Sequence, residues 1–353
     1  MSPRKTYDSA AWMSGMGPLS DIVISTRVRL ARNVKSLPFP TNSSTQMRSG
    51  IADIIKSAVK ATKAMGSVDV VIMSDLSNTY RQVLVEEHLI SPQQSMNADN
   101  TLAITNRDKS LSIMVNEEDH IRIQAITSGL APLEALKLAQ DADDALEEGL
   151  DYAFDEKWGY LTACPTNLGT GLRASVMLHL PALAMLNITG QVLGAVAKMG
   201  LTIRGMFGEG TEATGNIIQM SNTVSLGRSE EEIVKHIEAV ARQIVDRELD
   251  ARASLKRDSA VQLEDRLKRA YGIATNAYVI STDEALRLLS DVKLGCDIGI
   301  IDEVDKNFFA NTIVNIMPAH IEKKAGRELS PAERDIERAK LIKEALKPSK
   351  KEG

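Results

Sequence analysis

The stretch "DIVISTRVRL" (21–30) alternates with the two-residue period of a half-buried strand: Ile22, Ile24, Val28 and Leu30 fall on one side, Ser25, Arg27 and Arg29 on the other. "VDVVIM" (68–73), "LSIMV" (111–115) and the alternating half of "MVNEEDHIRIQA" predict further strands, as do "TIRGMF" (202–207) and "NIIQMSN" (216–222). Helical periodicity lies between and after them. "APLEALKLAQDADDALEEGLDYAF" (131–154) predicts a helix entered through Pro132. "SEEEIVKHIEAVARQIVDREL" (229–249) opens on Ser229 with Glu232 three residues on, a capping box, and carries Ile233, Ile237, Val240 and Ile244 as its apolar stripe. "STDEALRLL" (281–289) repeats the cap with Ser281 and Glu284. "SPAERDIERAKLIKEAL" (330–346) does so with Ser330, Pro331 and Glu333. Nearly all strand signals precede residue 225 and the remainder is helical, which predicts an α+β fold with a boundary near residue 250.

One stretch resists this pattern. "NEEDH" (116–120) sets three carboxylates and a histidine at the mouth of a strand, where acids are poor formers and neighbouring like charges repel. The composition narrows what such a cluster can serve. A chain of 353 residues, 43% hydrophobic and 25% charged, suits one large globular domain and a smaller one. Its net charge of −5 argues against nucleic acid as the default partner. Two cysteines, Cys164 and Cys296, form no disulfide framework and point to a reducing compartment. No signal peptide and no membrane span are expected, because the best apolar run is broken by Asn187, Thr189, Gly190 and Gln191. A cytoplasmic location follows as the expectation.

Five arginines sit on strands or beside glycine turns rather than on helix faces: Arg27, Arg29, Arg122, Arg173 and Arg204. Arg122 shares strand parity with Glu118 and His120; Arg173 is read here in the first turns of a helix after a glycine-rich loop. A solvated strand face accounts for Arg27 and Arg29 taken alone. Together, planar and permanently charged guanidinium groups suit a polyphosphate. No Walker loop and no protein-kinase signature is present to grip one otherwise. "NEEDH" and "GEGTEATGN" (208–216) then place carboxylates where a cationic substrate could be oriented and deprotonated. Surface ion pairing explains either segment taken alone. Cys164, before Pro165 and the glycines of "NLGTG", is either a small buried hydrophobe or a thiolate favoured by nearby arginines.

The segments "STRVRLARN" (25–33), "NEEDHIRI" (116–123), "CPTNLGTGLRASV" (164–176) and "RGMFGEGTEATGNIIQMSN" (204–222), in this order, resemble the catalytic domain of the phosphagen (ATP:guanido) kinases. The arrangement is similar to the bacterial protein arginine kinases of that family. The catalytic pattern begins near residue 21, without the helical domain that small-guanidino kinases carry first, and roughly a hundred helical residues follow it.

The resemblance implies a mostly antiparallel sheet flanked by helices and then an all-helical domain. The expected partition is an N-terminal segment (1–20), a catalytic domain (21–251), a helical domain for dimerisation (252–346) and a disordered tail (347–353). The implied reaction is transfer of the ATP γ-phosphoryl group to arginine side chains of proteins, with Mg²⁺ and no protein metal ligands. Catalysis is assigned to Glu118, Glu209 and Cys164, with Glu117 and Glu212 as lesser choices. Nucleotide binding is assigned to Ser25, Thr26, Arg27, Val28, Arg29, His88, Arg122, Arg173, Ala174, Ser175, Val176, Met177, Arg204, Gly205, Met206, Phe207, Gly208 and Glu209. The small-molecule kinases of the family usually have histidine where Met177 stands. "RDIERA" (334–339) matches the family's RDxxRA motif and implies a phosphoarginine pocket of Arg334, Asp335, Arg338 and Ala339; a solvated helix with an ion pair is the plainer reading. Implied partners are protein substrates with exposed arginine, a second copy of the chain, an activator protein, a heat-shock repressor and an unfoldase–protease, with no nucleic acid and no membrane. Two alternatives stay open: a kinase of a free guanidino compound, and an inactive phosphoarginine-binding adaptor.

Overall fold

A computed structural model describes residues 9–62, 65–205 and 214–348. Its strands are β1 (Val23–Arg32), β2 (Val68–Ile72), β3 (Leu102–Asn106), β4 (Leu111–Val115), β5 (Ile121–Ser128), β6 (Phe154–Asp155), β7 (Gly159–Tyr160), β8 (Leu172–His179), β9 (Leu201–Gly205) and β10 (Ile217–Asn222). Among the described residues, eight of them form one sheet in the order β2-β3-β4-β5-β1-β8-β10-β9, while β6 and β7 pair as a separate hairpin. Every neighbouring pair is antiparallel. The alternation read in β1 decides its two faces: Ile24, Thr26, Val28 and Leu30 are buried in the core, while Arg27 and Arg29 are only partly covered on the other face.

The helices are α1 (Thr45–Ala61), α2 (Asn78–Glu86), α3 (Pro92–Met96), α4 (Pro132–Glu147), α5 (Pro181–Met185), α6 (Thr189–Lys198), α7 (Glu230–Asp258), α8 (Ala260–Asn276), α9 (Thr282–Asp297), α10 (Phe308–Asn315), α11 (Pro318–Ala325) and α12 (Pro331–Ala345). Helices α4 and α7 cover the greasy face of the sheet. The stripe of α7 is buried as its period requires, and its Ser229–Glu232 capping box is complete, as is the Ser330–Glu333 box of α12. No helix among the described residues is long and apolar enough to cross a membrane.

Two expectations fail on physical grounds. The helix expected over 131–154 stops at Glu147, because the chain beyond Gly149 is drawn into strand-like pairing: Ala153 N donates to Asn33 O and Leu161 N to Ala153 O. Arg173 lies in β8, not in a helix; Leu172, Ala174, Val176 and Leu178 alternate there with Arg173, Ser175, Met177 and His179, and both flanking strands supply ladder partners. Strand β3 and helix α1 were not anticipated at all.

Helix α7 passes through residues 251–252 without a break and carries the joint to the helical region. The Glu248 carboxylate accepts from the Ala182 and Leu183 amides at the start of α5, and from Arg252 at 3.0 Å. Arg252 also reaches Asp297 of α9 at 3.2 Å and the Asp21 carbonyl. All three charged groups are fully or almost fully buried. Arg252→Ala takes the guanidinium from two buried carboxylates, Glu248 keeping the Ala182 and Leu183 amides and Asp297 keeping Lys293, and is expected to lower stability by up to about 3–5 kcal/mol. Chemical denaturation checks this, and an unchanged midpoint would contradict it.

Candidate active site

The polar face of the sheet carries the arginines. Arg29 on β1 stands directly opposite Arg173 on β8 and opposite Gln124 on β5. Arg27 is opposite Ser175, donates to Gln219 Oε1 at 3.1 Å, and sits two residues along the strand from Arg29, on the same face. Arg173 donates to Ser221 Oγ at 3.1 Å, and Arg204 on β9 is opposite Gln219. Like charges facing each other across a ladder repel. Burial, then Arg173 and Arg122, pushes the Arg27 guanidinium down to about 10; burial, then Arg27, Arg122 and Arg173, lowers Arg29 well below its usual value against the opposing pull of Glu117. Arg29 Nε is buried without a hydrogen-bond partner among the described residues. Such a cluster suits an anion of several charges.

The acids of "NEEDH" divide their labour. Glu117, almost buried, binds Arg122 Nη1 at 2.7 Å, the Ser91 hydroxyl at 2.5 Å and the amide of Glu118. Glu118 binds Arg122 Nη2 at 2.8 Å but leaves about a third of its side chain open to the cavity, at 32% exposure. Asp119 accepts from Asn33 Nδ2 and from the amide of Ala163, both at 2.7 Å, which ties this loop to the residue before Cys164. His120 turns away: it is fully buried, accepts from the Val34 amide through Nδ1 and contacts the Pro38 carbonyl through Nε2. The shared parity of His120 with Arg122 therefore does not bring it to the site. Burial, with Asp119 and Glu117 nearby, raises the Glu118 carboxyl above the usual carboxylate range although Arg122 opposes this.

Cys164 faces the same cavity, of about 530 Å³, whose walls include Arg29, Glu118, Arg122, Arg173 and Arg204. Its Sγ lies 3.0 Å from Thr166 Oγ1. The loop behind it is fixed by Arg32, which is buried, grips Asp143 at 2.6 Å and donates to the Thr170 carbonyl at 2.8 Å. Gly171 is required there: its φ is +68° and a Cβ would meet the Ala31 carbonyl and Arg32 Nη1 at 2.6 Å.

A second, smaller cavity adjoins the first and is walled by Arg27, Arg29, His88 and Gln219. His88 stands at φ +59°, and its ring packs on Trp12 with centroids 5.6 Å apart. Burial, then Arg27 and Arg29, lowers its pKa to about 3, so it is a neutral imidazole at pH 7. Met177 lies beside it, buried, together with Ser25 and Ser175.

Two family profiles match the chain: "ATP:guanido phosphotransferase, C-terminal catalytic domain" over residues 50–251 and "Protein-arginine kinase McsB C-terminal domain" over residues 260–353. The chain is 48% identical to the protein-arginine kinase of Moorella thermoacetica over 341 residues, 96% of this chain and 97% of that protein. It is likewise 48% identical to that of Symbiobacterium thermophilum, over 95% of this chain and 96% of that one. The chain belongs to the protein-arginine kinases of the ATP:guanido phosphotransferase family. A solved lombricine kinase shares the fold, with a TM-score of 0.58 at 24% identity over 71% of this chain and 74% of that one. The protein is thus a phosphotransferase of a family that uses ATP and a divalent metal.

Of the residues assigned from the sequence, the fold gathers Ser25, Arg27, Arg29, His88, Arg122, Arg173, Ser175, Met177 and Arg204 on or beside one sheet face. Thr26, Val28, Ala174 and Val176 belong to the same motifs, but their side chains are buried on the opposite face; Thr26 Oγ1 donates to the Gly129 carbonyl. Gly205 ends β9 opposite Ile218. Met206, Phe207, Gly208, Glu209 and Glu212 lie outside the described residues, as does most of the tail expected to be disordered. Reading the sequence alone missed Asn33, Ser91, Asp119, Gln219 and Trp12, which act through tertiary hydrogen bonds and packing.

On α12, Arg338 is buried and donates to the carbonyls of Ile316 and Ile280 at 2.9 Å, as well as to Asp335. Arg334 is partly exposed and pairs with Glu322 at 2.8 Å; Ala339 is buried.

Proposed function

We propose that this protein transfers the γ-phosphoryl group of ATP to a guanidinium nitrogen of arginine side chains in proteins. The observation that carries the reading is the opposed Arg29–Arg173 pair in one cavity with Glu118 and Cys164, within a chain of this family. Arg27, Arg29, Arg122, Arg173 and Arg204 grip the polyphosphate. His88, Met177 and Ser175 border its nucleoside end. Glu118 holds the target guanidinium, and Glu209 supplies the second carboxylate. The guanidinium nitrogen attacks the γ-phosphorus in line, its proton passes to Glu118, the bond to the bridging oxygen breaks, and ADP leaves. A guanidinium is a poor nucleophile until that proton is taken. Cys164 faces the cationic target from the wall of the same cavity.

Mg²⁺ is the divalent ion of this reading. No group of three His, Cys, Asp or Glu side chains among the described residues could hold a metal by itself. A cationic cradle that holds phosphates fits an ion carried on those phosphates with its own waters. When bound, it would neutralise charge on the phosphate oxygens.

The RDxxRA helix is read as a phosphoarginine pocket, with Asp335 and Arg334 at its accessible edge. Homodimerisation through the helical region, a cytoplasmic site of action and the marking of proteins for degradation belong to the same reading and rest on the family alone.

The test is incubation with Mg-ATP and an arginine-rich protein, and separately with free arginine. Acid-labile phosphate on protein arginine only is the expected result. Label on free arginine would make the protein a small-guanidino kinase, and no label on either would make it a binding adaptor.

A further inference from the structure

Three consecutive residues at the end of α2 connect the helical region to the nucleotide cavity. The first, Glu86, accepts two backbone amides at the start of α11, Ala319 N at 2.9 Å and His320 N at 3.0 Å, and also the His320 imidazole Nδ1 at 2.7 Å. The second, Glu87, binds Lys109 Nζ at 2.8 Å and lies 3.5 Å from His320 Nε2. Its carbonyl accepts the Trp12 indole N–H at 3.2 Å. The third is His88, whose ring packs on Trp12 and lines the nucleotide cavity, and whose carbonyl accepts from Gln124 at 2.6 Å.

We propose that His320 is a positioning residue for nucleotide binding: clamped between Glu86 and Glu87, it fixes the end of α2 and thereby the strained His88 and its Trp12 support. The inference rests on the nucleotide reading of the His88 cavity.

A non-glycine residue at positive φ keeps that conformation only while its surroundings over-determine it. Here the surroundings are side-chain bonds from elements distant in sequence, so removing one loosens His88 without touching it. Glu86, Glu87 and His320 are all buried, and among the described residues Lys109 and Lys323 are the other charged groups facing them. Burial disfavours the imidazolium, but the bonds to Glu86 and Glu87 outweigh this and raise the His320 pKa. Protonated His320 satisfies both carboxylates at once. The clamp is therefore intact below that raised pKa and weakens as pH rises through it. This sign is opposite to that expected for Glu118, whose charged form is needed for turnover and is lost at low pH. The two effects also separate kinetically: the clamp acts on ATP affinity, the base on kcat.

The experiment uses the full chain and equilibrium binding of ATP, which requires no turnover. In a Trp158→Phe background, Trp12 is the sole tryptophan and its fluorescence reports on the His88 wall. His320→Gln is expected to raise the Kd for ATP on the order of tenfold, the scale of one hydrogen bond lost from a buried charge. It should also shift Trp12 emission and abolish the alkaline weakening of ATP binding. His320→Gln or Glu86→Gln protein that is folded yet binds ATP within about twofold of the parent, with unshifted Trp12 emission, would overturn the proposal. Should His320→Gln fail to fold, Glu86→Gln, which keeps an acceptor for one of the two α11 amides and removes the carboxylate from His320, decides the matter. Weakened ATP binding in a protein that labels no arginine would leave the clamp standing and remove the kinase reading instead.

Discussion

Glu118→Gln is expected to leave a folded protein that binds ATP but transfers phosphate about 10²–10⁴-fold more slowly, the range for loss of a positioned general base. The substitution keeps an acceptor for Arg122 Nη2, now at 2.8 Å, so the grip of Glu117 and Arg122 on the loop survives. What it removes is the capacity to take a proton. The parent enzyme should lose kcat as pH falls through the raised value of Glu118, because the base is then protonated, and should hold a plateau above it. The variant's residual rate should lack that acid limb. Single-turnover rates across the pH range check both points. A variant keeping more than about a tenth of the parent kcat would take the base role away from Glu118 and give it to another group, Glu209 being the first to try.

Arg29→Met is expected to act in opposite directions on binding and on stability. Facing Arg173 across the ladder, with Arg27 and Arg122 nearby, Arg29 is held in place against repulsion from three cations and drawn, among the described residues, by Glu117. A methionine of similar length removes that repulsion, so the nucleotide-free protein should be more stable by up to about 1 kcal/mol. The same change removes charge-assisted bonds to phosphate, and the Kd for ATP should rise about ten- to a hundredfold. Thermal unfolding with and without Mg-ATP measures both: the variant should melt higher alone and gain less from nucleotide. If the variant melts lower alone and binds ATP as the parent does, the cluster is structural and the phosphate cradle lies elsewhere.

The strand positions of the arginines and the acid cluster beside them were legible because their signals are local. A two-residue period places Arg27 and Arg29 on one face whatever the rest of the chain does, and a capping box at Ser229 or Ser330 is complete within four residues. Arg173 shows the limit. Its alternation with Leu172, Ala174 and Val176 was present in the sequence, but the glycines just before it suggested a helix start, and only pairing with β1 and β10 decided for a strand. The helix expected to reach 154 was likewise shortened by hydrogen bonds to Asn33, more than a hundred residues away in sequence.

By itself, then, the sequence determined which residue types stand at which strand and helix positions, and so which chemistry this protein can perform. Tertiary structure alone decided that Arg29 meets Arg173, that Asp119 holds the Cys164 loop rather than a substrate, and that Glu86 and Glu87 tie α11 to His88. Local propensity acts over one turn or one pleat. Which carboxylate is occupied and which is left open depends on partners brought together by burial of the sheet's other face, and that information is spread over the whole chain.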